Sequence, residues 1–277
     1  METGIDDHDL HLLVARAKGG DRIALEGVVR AVQDDVFDLA LRMLGHVDDA
    51  SDASQEILVR LVTKLDSFRG ESRFRTWVYR VAAHALLNYR THLRRPEIDF
   101  EEAAGQLETA LANAPNPPTQ SDPAHKALVN EVKLACAAGM LICLDRAHRL
   151  AYILGEVLEV PGEDAAAILE ISPAGFRKRL SRAREQMEAF LRSHCGIANP
   201  SHPCRCKRLV PAAIEAGLVD PGRLALSRLP HRDADRLHLD VERIRTAAEM
   251  YRSMPKYAAP NDFAAAIREA LKGEHLP

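Results

Sequence analysis

Two sets of residues in this chain are of types and spacings that could hold a polyanion, and a third could hold a metal. The first set is Arg73, Arg80, His84, Thr91 and Arg95, stepped by seven, four, seven and four, which places them on one face of a helix. Asn88 belongs to the same stretch, and Phe68, Phe74 and Trp77 stand at its start. Cations that track phosphates, with rings on which unstacked bases can lie, are what single-stranded nucleic acid requires. The second set is Arg177, Lys178, Ser181, Arg182 and Arg184. From Pro173 to Arg192 six basic residues face two acidic ones, a local charge of plus four. The third is Cys195, His202, Cys204 and Cys206, thiolate and imidazole donors of the kind that bind zinc, although Cys-x-Cys is not the usual pair of Cys-x-x-Cys knuckles. No paired carboxylates, nucleophile constellation or phosphate-cradling glycine loop accompanies them, so the chemistry expected is binding and not catalysis.

The elements that must position these groups read as helices throughout. Phe74, Trp77, Val78, Val81, Ala82, Ala85 and Leu86 recur at helical spacing opposite the first cationic face. Before them come three helical stripes. Leu10, Leu13, Val14 and Ala17 stop at Gly19-Gly20; Ile23 to Leu44 stops at Gly45; a third runs from about Asp48 to Leu65, with Asp49, Asp52, Gln55 and Glu56 on its outer side. Acidic residues in a first helical turn offset the positive end of the helix dipole, which accounts for Asp48, Asp49 and Asp52 without any partner. Residues 96–123 are acidic and proline-rich with little periodicity, and read as a linker. Helical patterning returns over 124–192. There a short helix after Pro161 and an N-cap Ser172 followed by Pro173 lead into a helix with Phe176, Leu180, Ala183, Met187 and Phe190 inward. A short helix, a tight turn and a cationic second helix make a helix-turn-helix, whose second helix enters the major groove.

The run Phe-Arg-Gly-Glu-Ser-Arg-Phe-Arg-Thr-Trp-Val-Tyr-Arg-Val-Ala at 68–82 resembles the promoter-melting segment of bacterial sigma-70-type RNA polymerase sigma factors of the extracytoplasmic-function (ECF) branch. Gly175 to Arg184 is similar to the run that ends such proteins, with Gly175 and Phe176 departing from the usual Thr and Val. His84 and Asn88 likewise depart from the family's frequent Asn and Asp. The resemblance covers roughly residues 20 to 192. It implies an all-α protein with a region 2 helical domain at 1–95, a linker at 96–123, a region 4 helix-turn-helix domain at 124–192, and an additional segment at 193–277. It implies that Arg177, Lys178, Ser181, Arg182 and Arg184 read the upstream promoter element. Phe68, Arg73, Phe74, Trp77, Arg80, His84 and Asn88 would read and melt the downstream one. Asp52, Gln55 and Glu56 would dock on the clamp of the largest polymerase subunit. The implied partners are the RNA polymerase core, through that clamp and the flap, promoter DNA, and in some members an anti-sigma factor.

Composition sets the bounds. A net charge of −3 over 277 residues confines any nucleic-acid binding to local clusters. Five cysteines, an odd number, argue against a disulfide framework. No run of about 18 uninterrupted apolar residues occurs, which predicts a cytoplasmic protein with no membrane partner. No cofactor is required by this reading; a zinc ion in the segment beyond 193 would be the exception. That segment also carries helical stripes at Leu239 to Tyr251 and at Phe263 to Leu271, the latter capped by Asn261, and a regulatory role is expected of it. A stand-alone helix-turn-helix regulator, or a metal or redox sensor centred on Cys204, are the alternatives.

Overall fold

The computed structural model describes residues 5–89, 98–114, 123–230 and 246–272, and among these the regular structure is helical, with one isolated bridge between Asp220 and Arg223. The first four helices are α1 (Asp7–Lys18), α2 (Arg22–Leu44), α3 (Val47–Thr63) and α4 (Phe74–Asn88), with a 3-10 turn at Leu65–Ser67. Their ends are set by local chemistry. The Asp6 carboxylate accepts from the Asp9 amide, and Asp21 accepts from Ile23 and Ala24, satisfying amides that a first turn leaves orphaned. α2 stops at Gly45, whose φ of 70° closes the helix in the left-handed region. There a Cβ would also lie 3.0 Å from Ile142 Cγ1.

α2 is the axis of this half, packing on α1, α3 and α4. Two expectations fail here. Ile23 is 80% exposed, because the inward stripe of α2 begins at Ala24 and Val28. Asp49 is only 4% exposed, turned into the bundle while Asp52, Gln55 and Glu56 stay outside.

The predicted linker contains a helix. α5 (Phe100–Asn113) is capped by Asp99, which accepts from the Glu102 amide at 2.9 Å. Phe100, Ala103, Ala104, Leu107 and Leu111 lie along one side of it, a helical stripe that the proline-rich second half of the segment obscured. Phe100 meets Phe190 with ring centroids 5.3 Å apart. Then come α6 (Pro123–Cys143), α7 (Arg146–Tyr152), a π-helical turn (Ile153–Val157), α8 (Gly162–Ile168) and α9 (Pro173–His194), followed by α10 (Cys206–Glu215), α11 (Ala247–Arg252) and α12 (Phe263–Lys272). The first turn of α12 is capped by Asp262, which accepts from the Ala265 amide at 3.1 Å, and not by the expected Asn261. Leu239 and Ile244 lie outside the described residues.

The two halves share one continuous apolar core reaching from Leu10 to Ile267. Arg149, 4% exposed, ties them together by donating to the carbonyls of Met43, Leu141, Ile142 and Leu144 at 2.6 to 2.8 Å. Arg146 donates to Tyr89 O at 2.6 Å, and α8 packs on α4 with His84 Nε2 3.5 Å from a Glu170 carboxylate oxygen.

Candidate nucleic-acid interface

The stripe of α4 folds inward as its spacing demands: Phe74, Trp77, Val78, Ala82, Ala85 and Leu86 are buried. Three rings expected to receive bases are spent on this core. Phe68, Phe74 and Trp77 are 6%, 1% and 4% exposed, with centroids 5.1 to 5.7 Å from one another. Mutual burial of aromatic faces is worth more than leaving them wet, so the loop from Phe68 to Phe74 closes on itself. What remains beside it is an open groove of about 270 Å³ lined by Ser67, Phe68, Arg69, Glu71, Ser72, Trp77 and Arg80. Arg69, Glu71 and Ser72 were not singled out as site residues, although they lie within the loop already marked by its two rings.

Along the outer side, Arg73, His84 and Asn88 are exposed and Arg80 is half-buried at the groove. Arg73 Nε lies 3.8 Å from the Asp7 carboxylate, and Asn88 donates its side-chain amide to His84 O at 2.9 Å. Thr91 and Arg95 fall outside the described residues. The face therefore carries solvent-exposed basic side chains, two of them near carboxylates, above a concave polar wall.

α9 meets its sequence reading closely. The Ser172 hydroxyl accepts from the Gly175 amide at 3.1 Å, Pro173 opens the helix, and Phe176, Leu180, Ala183 and Met187 are buried. Leu180 and Phe176 pack against Gly155, where a Cβ would come within 2.7 Å of Leu180 Cδ2. Arg177, Lys178, Ser181, Arg182 and Arg184 all project outward. Ser181 donates to Glu185 Oε1 at 2.9 Å, and Arg184 is held by the carboxylate of Glu156.

Residues 28–95, which hold most of α2, all of α3 and α4, and the groove, match the family model described as Sigma-70 region 2. Over 187 residues the chain is 32% identical to the ECF RNA polymerase sigma-E factor of Haemophilus influenzae, spanning 64% of this chain and 92% of that protein. The chain belongs to the ECF RNA polymerase sigma factors. It is also 31% identical over 182 residues to the ECF sigma-E factor of Escherichia coli K12, across 64% of this chain and 91% of the relative. A solved structure of CnrH in complex with the cytosolic domain of CnrY covers 66% of this chain and 96% of its own, at 24% identity and a TM-score of 0.47.

In this sigma factor Asp52, Gln55 and Glu56 stand exposed on α3, with Glu56 paired to Arg60 and the apolar Val59 beside them at 46% exposure. Three polar residues and one apolar residue thus share one exposed helix face. No helix among the described residues is long and apolar enough to cross a membrane.

Cys195, Cys204 and Cys206 line one small apolar cavity of about 40 Å³. His194, next to Cys195 in the same cluster, lines it too, and so does Cys136, which nothing in the local spacing marked and which α6 brings from far upstream. His202 is not among the lining residues; its Nδ1 accepts from the Cys204 amide at 3.2 Å. Among the described residues no group of three or more His, Cys, Asp or Glu is placed to hold a metal ion. Burial pushes the Cys206 thiol up to about 12 and raises that of Cys204. Burial thus disfavours the thiolate form of both.

Proposed function

We propose that this sigma factor binds the RNA polymerase core and directs initiation by reading a promoter at two places. The observation that carries this reading is the cationic face of α9, exposed over a buried apolar face, in the same chain as the groove-bearing α4. Arg177, Lys178, Ser181 and Arg182 suit the major groove of the upstream element, where guanidinium groups pair with guanine edges and with phosphates. Arg73, Arg80, His84 and Asn88 suit the downstream element. Separating base pairs costs a few kcal/mol, and a base turned out of the stack can be offset by the groove beside Arg80 and by phosphate contacts. Since Phe68 and Trp77 line that groove yet are buried, and Phe74 is buried against them, their part is to shape the groove and not to present open rings to bases. Asp52, Gln55 and Glu56 are the contact for the clamp of the largest subunit, and the helix-turn-helix half is the contact for the flap.

Run-off transcription on genomic DNA tests this. Purified core polymerase with this chain should yield transcripts with defined 5′ ends that core alone does not make; identical products with and without the chain would refute initiation and leave a stand-alone regulator. Arg80→Ala should slow opening about tenfold, equivalent to roughly 1.4 kcal/mol in the barrier. Permanganate reactivity of unpaired thymines measures this, and duplex binding by α9 should be retained. Unchanged opening would remove Arg80 from the melting groove.

A further inference from the structure

The segment from α11 to α12 is anchored on both halves of the molecule. On the second half, Tyr251 donates its hydroxyl to Ala137 O at 2.6 Å and the Ala247 amide donates to Glu188 at 2.9 Å. On the first, Arg42 donates to Pro255 O at 3.0 Å, and the amides of Tyr257 and Ala259 donate to Asp38 and Asp34 at 3.1 and 2.9 Å. Tyr251, Tyr257 and Phe263 are buried, so the anchoring is apolar as well as polar.

Besides the Ala247 amide on Glu188, a shared carboxylate links this segment to the proposed DNA-reading helix. Glu156, 4% exposed, sits in the π-helical turn, a departure from regular helix frequent at functional sites. Close by, Glu159 adopts a left-handed φ of 52°. The two carboxylate oxygens of Glu156 are divided between two cations. Oε1 is bound by Arg184 of α9, and Oε2 accepts from Arg252 Nη2 of α11 at 3.1 Å, while Arg252 Nε also donates to Glu156 O at 2.9 Å. A buried carboxylate needs a counter-charge, and here two guanidinium groups share the one carboxylate. Either cation therefore weakens the hold on the other.

We propose that Arg252 is a positioning residue that frees Arg184 for DNA by supplying the counter-charge to Glu156; the proposal rests on α9 being the helix that meets DNA. With Arg252 in place, Arg184 can leave for a phosphate without stranding a buried anion. Without Arg252, Glu156 has Arg184 as its remaining partner of the two and retains it. The C-terminal segment thus assists DNA reading through this contact, the opposite sign from a simple inhibitory cover.

The test uses the full chain and a 30-base-pair duplex of arbitrary sequence, with affinity measured across a salt series. Arg252→Ala should weaken binding about three- to tenfold at low salt and reduce the salt slope by about 0.9, the loss of one phosphate contact. Glu156→Gln added to it should restore both the affinity and the slope, a rescue that a merely structural role for Arg252 would not give. Arg252 is 42% exposed at its side chain, so the variant should stay folded, and thermal melting checks this. Tighter binding by Arg252→Ala, an unchanged slope, or failure of the Glu156→Gln rescue would overturn the proposal. Wild-type protein that does not bind the duplex at any salt would instead overturn the assignment of α9 itself, and this inference with it.

Discussion

Alanine at both Arg177 and Arg182 should abolish recognition of the upstream element while leaving the fold intact. Each arginine that pairs with a base edge contributes about 1 to 3 kcal/mol, so the double variant should lose about 2 to 6 kcal/mol of binding. Both side chains are exposed on α9, and the apolar face that holds the helix in place, Phe176, Leu180, Ala183 and Met187, is untouched. Thermal unfolding should therefore be within about 0.5 kcal/mol of wild type, as for surface substitutions generally. Footprinting on a promoter mapped by run-off transcription reads the loss. A double variant that protects the upstream element as wild type does would mean that α9 is not the reading helix.

The largest effect on stability should come from Arg149→Met. The guanidinium donates to four carbonyls, three at or near the end of α6 and the fourth, that of Met43, in α2 of the other half. Carbonyls at a helix end have no partner within their own helix, and at this end Arg149 supplies it. Methionine fills similar space and donates nothing; Leu141 O keeps the Leu144 amide at 3.2 Å, and the other carbonyls lose this donor at about 1 to 3 kcal/mol each before relaxation. With partial relaxation and water entry, we expect a net loss of about 3 to 5 kcal/mol, read from the urea midpoint at constant m-value. A cost below about 1 kcal/mol would show that water replaces the guanidinium and that the junction between α2 and α6 does not depend on it.

How far the sequence could be read follows from the range of the forces involved. The buried stripes of α4 and α9, the outward cations of α9 and the exposure of Asp52, Gln55 and Glu56 follow from helical periodicity and local caps, which act over three or four residues. The same local rule would have revealed α5, since Asp99 and the row from Phe100 to Leu111 are a cap and a stripe, but acidic and proline-rich neighbours masked them. Ile23 and Asp49 were misplaced because a helix face is a rotation, and which edge of a stripe is buried depends on the neighbours it meets.

By itself, then, the amino-acid order determined that this chain is helical, that it belongs with the ECF sigma factors, and which faces carry cations. Only the tertiary structure decided that Phe68 closes onto Phe74 and Trp77 and that Cys136 joins Cys195, Cys204 and Cys206 at one cavity. It also decided that Arg184 and Arg252 divide a single carboxylate at Glu156. The cysteine cavity and the Glu156 pairing depend on the apposition of residues far apart in the chain, and burial and charge pairing are set by distances in space that no local pattern encodes.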